Sequence, residues 1–536
     1  MNARFARLGV ALCLLLVLGL SMTVRWRLLS VPLERDEGEY AYMAQLINEG
    51  VPPYLEAYNM KLPGTYAAYA LSLRCFGDDA EGIRIGLVLA SAASVLLLFL
   101  LAQPLVGEAA ALAAAAVYAT LSLSPSVQGL FAHATHFVVL FALAGLVVLA
   151  QALRSGRALQ LLAAGALLGL SILMKQNGVF FAALGLLQLA WSEAHARPRQ
   201  VRRAAARIGW LALGVALPLV ATGLLVLQSG AWPRFWFWVV SYGMAYASQV
   251  PLASALGQLR GMATPLVTDA PVLDVLALAG LAVASAEAWR ARRPGFVLPF
   301  ALVSAAAVCP SFWFRPHYFI LLLPAASLLV ATALRAMHLR LARALGAPAS
   351  AALAVALVAF GAGQAVYQHR VVLLEASPIE VSRLLYDLNP FPESIEVAAY
   401  LREHTAPSER IAVIGSEPQL YFYADRRAAT GYLYTYPLME PQPFARQMQR
   451  EMIGEIEGAQ PAYVVLVAIT SSWLARPDSD LLISDWTRRF LREHYERVGV
   501  VEIRNDFGPS EYTWGEAAAS HRARWPNQLQ VWKRKG

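Results

Sequence analysis

Three carboxylates, Asp36, Glu37 and Glu39, lie within four consecutive positions of one polar segment, in the sequence RDEGEY. The segment belongs to residues 30–82, a long acidic stretch in an N-terminal half that is otherwise strongly apolar. A lysine, Lys61, follows further on in the sequence NMKLPG. A carboxylate can take a proton from a hydroxyl group, and a lysine can stabilise a phosphate. Together these residue types predict transfer of a group from a phosphate-bearing donor, with Asp36 and Glu37 as candidate catalytic residues.

The same segment predicts a short helix over residues 36–48, with Tyr40 on its apolar face. Asp36 followed three residues later by Glu39 also fits a capping box, in which the two side chains bind the helix N-terminus. The sequence therefore leaves two interpretations of Asp36 open. It is either a helix cap or a base in a site to which Tyr40 and Tyr58 also contribute.

Composition places this segment beside a membrane. Of the 536 residues, 58% are hydrophobic and only 15% are charged, and the mean hydropathy is +0.48. These values are typical of a polytopic α-helical membrane protein. Apolar runs long enough to span a bilayer predict about eleven transmembrane helices. They lie at residues 8–28, 83–102, 106–123, 135–153, 158–174, 177–191, 208–228, 271–289, 296–310, 318–336 and 349–367.

Basic residues occupy alternate loops between these helices, and the positive-inside rule assigns such loops to the cytoplasm. The basic clusters are Arg4 with Arg7, Arg154 with Arg157, and the arginines within residues 197–207, 290–293 and 335–343. Residues 30–82, 123–134, 229–270 and 310–317 are then outside, and an odd number of spans puts the C-terminal part outside as well. Topology thus accounts for the net charge of +8, and nucleic-acid binding is not predicted. We expect a multi-pass protein of the cytoplasmic (inner) membrane.

Four further polar residues lie at expected outer ends of membrane helices and are candidates for binding substrate. They are Lys175, Arg315, His317 and Tyr318. A lysine at the end of a span can also extend to the membrane surface without another role. Arg315 and His317 share a very short outer turn, which favours a functional role.

Two other groups of side chains favour structural roles. Trp232, Trp236 and Trp238 predict an aromatic belt, because tryptophans collect at membrane surfaces generally. His133 and His136, three residues apart at the mouth of a helix, favour an interfacial structural role over a place in the site.

Residues 371–536 carry ordinary charge and predict a soluble domain. The runs RIAVIGS and AYVVLVAIT are continuously apolar and predict buried parallel strands. Between them, apolar residues recur every four positions over residues 444–456, which predicts an amphipathic helix. This alternation is typical of a small α/β domain. The first strand is not followed by G-x-G-x-x-G, so nucleotide binding is not predicted, and the role of the domain stays open.

The motifs carry a resemblance to a known family. A first span followed by R-D-E-G-E-Y and then K-L-P-G resembles the first outer loop of GT-C glycosyltransferases. It is most similar to the protein O-mannosyltransferases and their bacterial relatives, including the aminoarabinose transferase acting on lipid A. The segments MKQNG at 174–178 and RPHYF at 315–319 agree with it. The resemblance covers most of residues 1–370 and implies a GT-C transmembrane catalytic domain, with residues 371–536 as an extracytoplasmic α/β domain.

The resemblance implies a donor, a reaction and roles for particular residues. The donor is a polyprenyl-phosphate-linked sugar, and the acceptor on the outer side is a lipid, a glycan or a protein. Asp36 matches the carboxylate that serves as general base in an inverting transfer, and Lys61 matches the lysine that serves the donor phosphate. Arg315 and His317 are the next candidates for the phosphate.

One departure from the family concerns a second acidic residue. Relatives often carry it near the start of the fourth span, where this chain has Thr135 and His136 in LFAHATHFVVL. His133, His136 or Glu37 are the alternatives for its role. Since no His, Asp or Glu cluster has firm ligand spacing, no obligatory metal is predicted, although a divalent metal is left open.

Two rival classes of protein share some of these features. A transporter or flippase for lipid-linked sugars would also have many spans, but a proton-coupled carrier needs ionisable groups within them. Here the carboxylates gather in one outer loop. A membrane anchor for the C-terminal domain would need only one or two spans.

The orientation can be tested by cysteine labelling. A cysteine introduced at Ser408, in a background lacking Cys13, Cys75 and Cys309, should react with a membrane-impermeant maleimide in intact cells, because the C-terminal domain is expected outside. Labelling that appears only after lysis would contradict this orientation.

Overall fold

The computed structural model describes residues 3–198, 200–293 and 295–536. Three arginines used above to assign orientation fall outside this description: Arg199 entirely, and Arg4 and Arg7 as side chains. The chain forms a helical part that ends at Gln368 and a mixed α/β part that follows it.

The helical part consists of long apolar helices with shorter helices in the loops between them. Its helices are α1 Ala3–Arg27, α2 Arg35–Asn48, α3 Gly64–Phe76, α4 Ala80–Val106, α5 Glu108–Leu121, α6 Ala134–Ser155, α7 Ala158–Met174, α8 Val179–Ala194, α9 Val201–Gln228, α10 Trp232–Phe235, α11 Gly243–Ala247, α12 Leu252–Asp269, α13 Pro271–Ala291, α14 Val297–Val308, α15 Leu323–Leu345 and α16 Ala347–Gln368.

The expected transmembrane segments all fall on helices. Among the described residues, seven helices are long and apolar enough to cross a membrane, namely α1 from Leu8 onward, α4, α6, α9, α13, α15 and α16. Helices α5, α7 and α14 are shorter apolar helices, and α8 coincides with the remaining expected span. A polytopic helical fold is therefore confirmed, while the total of eleven spans stays a prediction.

The predicted helix in the acidic segment is confirmed, and of the two interpretations of Asp36 the structure does not support the capping box of Asp36 with Glu39. Helix α2 begins one residue earlier than expected, with Glu34 in extended conformation as its N-cap. The Glu34 carboxylate accepts a hydrogen bond from the backbone N–H of Glu37 at 2.9 Å. The Glu37 carboxylate accepts one from the backbone N–H of Glu34 at 3.4 Å. Because Glu34 and Glu37 form the box, Asp36 and Glu39 are not used as caps.

A buried ion pair ties α2 to the membrane helices. The guanidinium of Arg84 on α4 donates to both carboxylate oxygens of Glu37, at 2.9 and 2.7 Å. The backbone N–H of Ala132 donates to the same carboxylate at 2.6 Å. Both charged side chains are almost inaccessible to solvent. Such a pair is stable only when its hydrogen bonds are complete, and here the bidentate geometry meets that condition.

The opposite side of α2 packs against the C-terminal part at Gly38. A Cβ atom at this position would lie 2.6 Å from the backbone nitrogen of Gln419, which begins α19 (Gln419–Ala424). The glycine in RDEGEY therefore allows the two helices to touch.

The C-terminal part is a five-stranded mixed sheet with helices packed on it, so the predicted α/β domain is confirmed. Its strands are β1 Ile411–Ile414, β2 Tyr463–Ala468, β3 Tyr495–Ile503, β4 Glu511–Trp514 and β5 Asn527–Arg534, in the order β1-β2-β5-β3-β4. Its helices are α17 Pro378–Tyr386, α18 Phe391–His404, α19, α20 Tyr436–Met439, α21 Ala445–Ala459, α22 Thr470–Trp473, α23 Leu482–His494 and α24 Glu516–Ser520.

The two predicted strands are β1 and β2, and they pair in parallel as expected. The three other strands are joined by antiparallel ladders. Sequence analysis did not identify them because, unlike β1 and β2, they carry charged residues between apolar ones.

The buried pair predicts a large difference between two arginine substitutions. Arg84→Ala leaves the Glu37 carboxylate buried without its partner and should cost about 3–5 kcal/mol of stability. Arg446→Ala removes an exposed ion pair with Asp480 and should cost less than about 1 kcal/mol. Denaturant unfolding of the detergent-purified protein measures both. Equal losses in the two variants would contradict a structural role for the Glu37–Arg84 pair.

Candidate active site

A cavity of about 870 Å³ lies where the loops at one end of the helix bundle meet the C-terminal domain. Its walls come from residues 34–36, 58–61, 128, 133, 175–177, 238–247, 310–318, 432–440 and 470–476. Each of these segments belongs to an expected outer loop, to an expected outer helix end or to the C-terminal domain. None of the described residues in the expected cytoplasmic loops lines the cavity. The segments expected outside therefore share one face of the molecule.

Most of the residues predicted for the site do line this cavity. They are Asp36, Tyr58, Lys61, Lys175, Arg315, His317 and Tyr318. The structure does not bring Glu37 and Tyr40 into it. Glu37 faces Arg84 on the other side of α2. Tyr40 is buried, with the Lys61 ammonium 4.5 Å from its ring centroid.

Asp36 is held as an ionised carboxylate by Lys61. The Lys61 Nζ lies 3.1 Å from Asp36 Oδ1 and 2.8 Å from Glu39 Oε2. Partial burial would raise the pKa of Asp36, but the charge and hydrogen bond of Lys61, with the charge of Lys175 added, outweigh it and lower the pKa to about 2. The Asp36 side chain is 28% exposed, so it can be reached from the cavity.

Glu39 is the buried end of this network. Its carboxylate accepts hydrogen bonds from the hydroxyls of Tyr66 at 2.9 Å and Tyr434 at 2.8 Å, besides its ion pair with Lys61. Two carboxylates thus share the Lys61 charge. A donor phosphate would have to compete with both of them for this lysine.

Lys175 and Arg315 differ from Lys61 in their surroundings. Neither has a carboxylate within ion-pair distance among the residues that the structure describes. The Lys175 ammonium lies 3.7 Å from the Tyr318 ring centroid, and the Arg315 guanidinium lies 4.8 Å from that of Trp313. Burial, with the repulsion of Lys61 added, lowers the pKa of Lys175 to about 7. These two side chains present positive charge to the cavity without an anion to neutralise it.

Two histidines face Asp36. The rings of His133 and His317 stack with their centroids 4.2 Å apart, and His133 Nδ1 lies 3.8 Å from Asp36 Oδ2. Burial lowers the pKa of His133 to about 3, which keeps the imidazole in the neutral form that binds metals. Both ring nitrogens of His133 are buried without a hydrogen-bond partner. One potential ligand atom each of Asp36, His133 and His317 lies within 4.8 Å of the others, so these residues could hold a divalent cation.

This cluster escaped sequence analysis because its members come from three separate loops. Of the histidines considered there, His133 lines the cavity, contrary to the structural role that was favoured. His136 is buried and does not line it.

The tryptophans also divide into two groups. Trp232 and Trp236 are exposed, as an aromatic belt requires. Trp238, in contrast, is buried beside the cavity, where it stacks on Tyr58 with ring centroids 5.9 Å apart. The prediction that Trp238 belongs to an aromatic belt is therefore wrong.

Arg35, which the sequence did not single out, joins the site to the C-terminal domain. Its guanidinium donates to Glu417 Oε1 at 2.6 Å and to Asn389 Oδ1 at 3.1 Å. It also lies over the rings of Phe391 and Tyr436, at 5.4 and 5.3 Å. The C-terminal domain thus holds the residue that precedes Asp36.

Comparison with known proteins agrees with this architecture. Residues 61–225 match the profile of the family described as dolichyl-phosphate-mannose-protein mannosyltransferase. The solved structures of an oligosaccharyltransferase and of ArnT superpose on nearly the whole chain. The chain has the GT-C glycosyltransferase fold. The GT-C resemblance inferred from the acidic loop is thereby confirmed. A search of curated proteins finds no match.

Two solved proteins illustrate the GT-C likeness. The oligosaccharyltransferase from Archaeoglobus fulgidus, tethered with an acceptor peptide, is 14% identical with a TM-score of 0.57, covering 96% of this chain and 75% of its own. A structure of the oligosaccharyltransferase AglB from Archaeoglobus fulgidus, in complex with an inhibitory peptide and a dolichol-phosphate, is 13% identical with a TM-score of 0.57, covering 96% of this chain and 75% of its own. ArnT from Cupriavidus metallidurans, bound to undecaprenyl phosphate, is 17% identical with a TM-score of 0.56, covering 97% of each chain.

Proposed function

We propose that this protein is a membrane glycosyltransferase. It moves a hexosyl or pentosyl group from a polyprenyl-phosphate donor to an acceptor on the extracytoplasmic side. The observation that carries the proposal is one cavity that holds an ionised Asp36 and two cations, Lys175 and Arg315, which have no carboxylate partner among the described residues. The similarity to ArnT bound to undecaprenyl phosphate and to AglB in complex with a dolichol-phosphate supports a lipid-phosphate donor.

The reaction is a single displacement with inversion at the anomeric carbon. The acceptor oxygen attacks that carbon while Asp36 takes the hydroxyl proton, and the bond to the phosphate oxygen breaks on the opposite face. The leaving group is the polyprenyl phosphate, which needs positive charge rather than a proton. Lys175 and Arg315 supply that charge, with Lys61 beside them. His317 also lines the cavity, but burial lowers the pKa of its imidazole well below the usual value, so it offers a neutral N–H group rather than a charge.

The strength of the base depends on Lys61. A carboxylate with a pKa of about 2 is ionised at every physiological pH but is a weak proton acceptor. If the donor phosphate attracts the ammonium of Lys61, Asp36 loses its largest stabilising partner and its pKa rises. Donor binding would thus strengthen the base just when the acceptor must be deprotonated.

A divalent cation fits the same site without being required by this scheme. Asp36, His133 and His317 would hold it, and it would add positive charge next to the leaving phosphate. The ring nitrogens of His133 are neutral and have no hydrogen-bond partner, so they could coordinate such a cation.

The proposed location is the cytoplasmic (inner) membrane, with the cavity and the C-terminal domain outside. This is supported by the cavity, to which only expected outer segments contribute. The acceptor is a lipid, glycan or protein that enters from that side. Residues 432–440 and 470–476 of the C-terminal domain then form one wall of its binding site.

The pKa of Lys175 predicts that the apparent KM for the donor depends on pH. Its pKa of about 7 means that the cation is present below pH 7 and is lost as the pH rises above it. A phosphodiester donor keeps its single charge throughout this range, so the apparent KM for the donor should rise between pH 6.5 and 8.5. Lys175→Arg, which stays charged, should flatten this rise by at least half. An unchanged profile in the variant would remove Lys175 from phosphate binding.

Asp36→Asn tests the proposed base. The substitution is nearly isosteric and leaves the Glu34–Glu37 cap intact, so the protein should fold and bind donor. Sugar transfer by the purified protein should fall by about 10²-fold or more, because an amide cannot accept the proton. The matched control is Asp78→Asn, the same change at an exposed carboxylate of the same outer loop. It should keep the parent rate.

Near-parent transfer by Asp36→Asn would exclude Asp36 as the base. Glu39→Gln is not a suitable control, because Glu39 is ion-paired with Lys61. An equal loss in Asp36→Asn and Asp78→Asn would point to general damage rather than chemistry.

A further inference from the structure

A second cavity lies between α13 and α15, and it shares no lining residue with the active-site cavity. It measures about 260 Å³. Residues 283, 286, 287 and 290 line it from α13, and residues 336, 339, 340 and 343 line it from α15. Both sets follow the spacing i, i+3, i+4, i+7, which places each on one helix face. Arg335 completes the lining.

The lining is amphiphilic. Val283, Ala286, Ala336 and Leu339 form its apolar part, and the charged part consists of Arg290, Arg335, Arg340 and Arg343 with a single acid, Glu287. None of the four arginines has an ion pair or a side-chain hydrogen bond within the described ranges 3–198, 200–293 and 295–536. The cavity therefore offers excess positive charge next to an apolar surface.

The packing of the two helices explains why the gap exists. At Gly280, a Cβ would lie 1.9 Å from the carbonyl oxygen of Leu329, so α13 and α15 touch there. Further along, small side chains at Ala286 and Ala336 leave space, and the arginines project beside it. The contact and the gap thus belong to the same pair of helices.

The surrounding side chains place this cavity at the level of a membrane surface. Trp289 is 86% exposed, and Leu339 and Leu345 are more than half exposed. An exposed tryptophan beside arginines is typical of the headgroup region. The arginines lie at the ends of α13 and α15 that are expected to face the cytoplasm, where anionic lipid headgroups attract basic clusters. An apolar surface running into a cluster of arginines matches a lipid better than a soluble anion.

We propose that this cavity binds the phosphate headgroup of an anionic phospholipid of the cytoplasmic leaflet. The arginines contact the phosphate through their N–H groups. An acyl chain follows the apolar residues toward Gly280. This site is separate from the proposed transfer reaction and does not depend on it.

The test uses the full-length protein, delipidated in a neutral detergent. Phosphatidylglycerol is titrated, and its apparent Kd is read from thermal unfolding and by native mass spectrometry. We expect phosphatidylglycerol to bind and stabilise, and phosphatidylcholine to do so at least tenfold more weakly. Arg335→Gln/Arg340→Gln should weaken phosphatidylglycerol binding at least fivefold.

The control distinguishes a site from general positive charge. Arg154→Gln/Arg157→Gln removes the same charge from another loop of the same expected membrane side, which lines neither of these two cavities, and should leave the apparent Kd unchanged. Ala336→Phe fills the cavity while keeping all four arginines, and should also weaken binding fivefold or more.

Three outcomes would overturn the proposal. The first is equal weakening by the two double variants, since charge alone would then explain binding. The second is phosphatidylglycerol binding that Ala336→Phe leaves intact. The third is an equal shift with inorganic phosphate at the same concentration, which would indicate a site for a soluble anion instead of a lipid.

Discussion

The ammonium of Lys61 joins the parts of the active site. It lies within 3.1 Å of Asp36 and 2.8 Å of Glu39, and it is the partner that allows Glu39 to be buried completely. Without Lys61, the buried carboxylate of Glu39 would have no compensating charge, and the pKa of Asp36 would rise. Tyr66 from α3 and Tyr434 from the C-terminal domain complete the hydrogen bonds of Glu39. One cation therefore fixes two acids and, through them, two parts of the fold.

Helix α2 is the element on which this arrangement depends, because it carries both acids. Three independent contacts hold it: the buried pair of Glu37 with Arg84, the close approach of Gly38 to α19, and the hydrogen bonds of Arg35 with Glu417. They lie on different sides of the helix and lead to different parts of the protein. Asp36 lies between Arg35 and Glu37 in sequence and consequently has little freedom to move. A fixed position suits the proposed general base, because a base must be correctly oriented toward the hydroxyl that it deprotonates.

Sequence analysis recovered what depends on local pattern. Hydropathy located the membrane helices, and continuous apolar runs located β1 and β2, because burial in a bilayer or sheet leaves a direct trace in composition. It failed where a role depends on contacts between distant segments. The partner of Glu37 is Arg84, on the next long helix, and His133 meets His317 across the cavity. Neither contact has a local signature. The capping box involves Glu34 and Glu37 instead of Asp36 and Glu39, because Glu34, an unusual N-cap residue, is the N-cap of α2.

Lys61 was the first candidate for the donor phosphate, and in the structure it shares one cavity with Lys175 and Arg315. Lys61 is already neutralised, whereas Lys175 and Arg315 line the cavity without a carboxylate partner among the described residues. Holding cations there without anions is costly, and the lowered pKa of Lys175 reflects that cost. An anionic donor would relieve it by supplying the missing charge. The cavity is therefore complementary to an anion before one arrives, with Asp36 ionised on one side and unpaired cations on the other. In the proposed reaction, donor binding would then restore the full charge of Lys175 and compete for Lys61, and it would thereby couple recognition of the phosphate to the strength of the base.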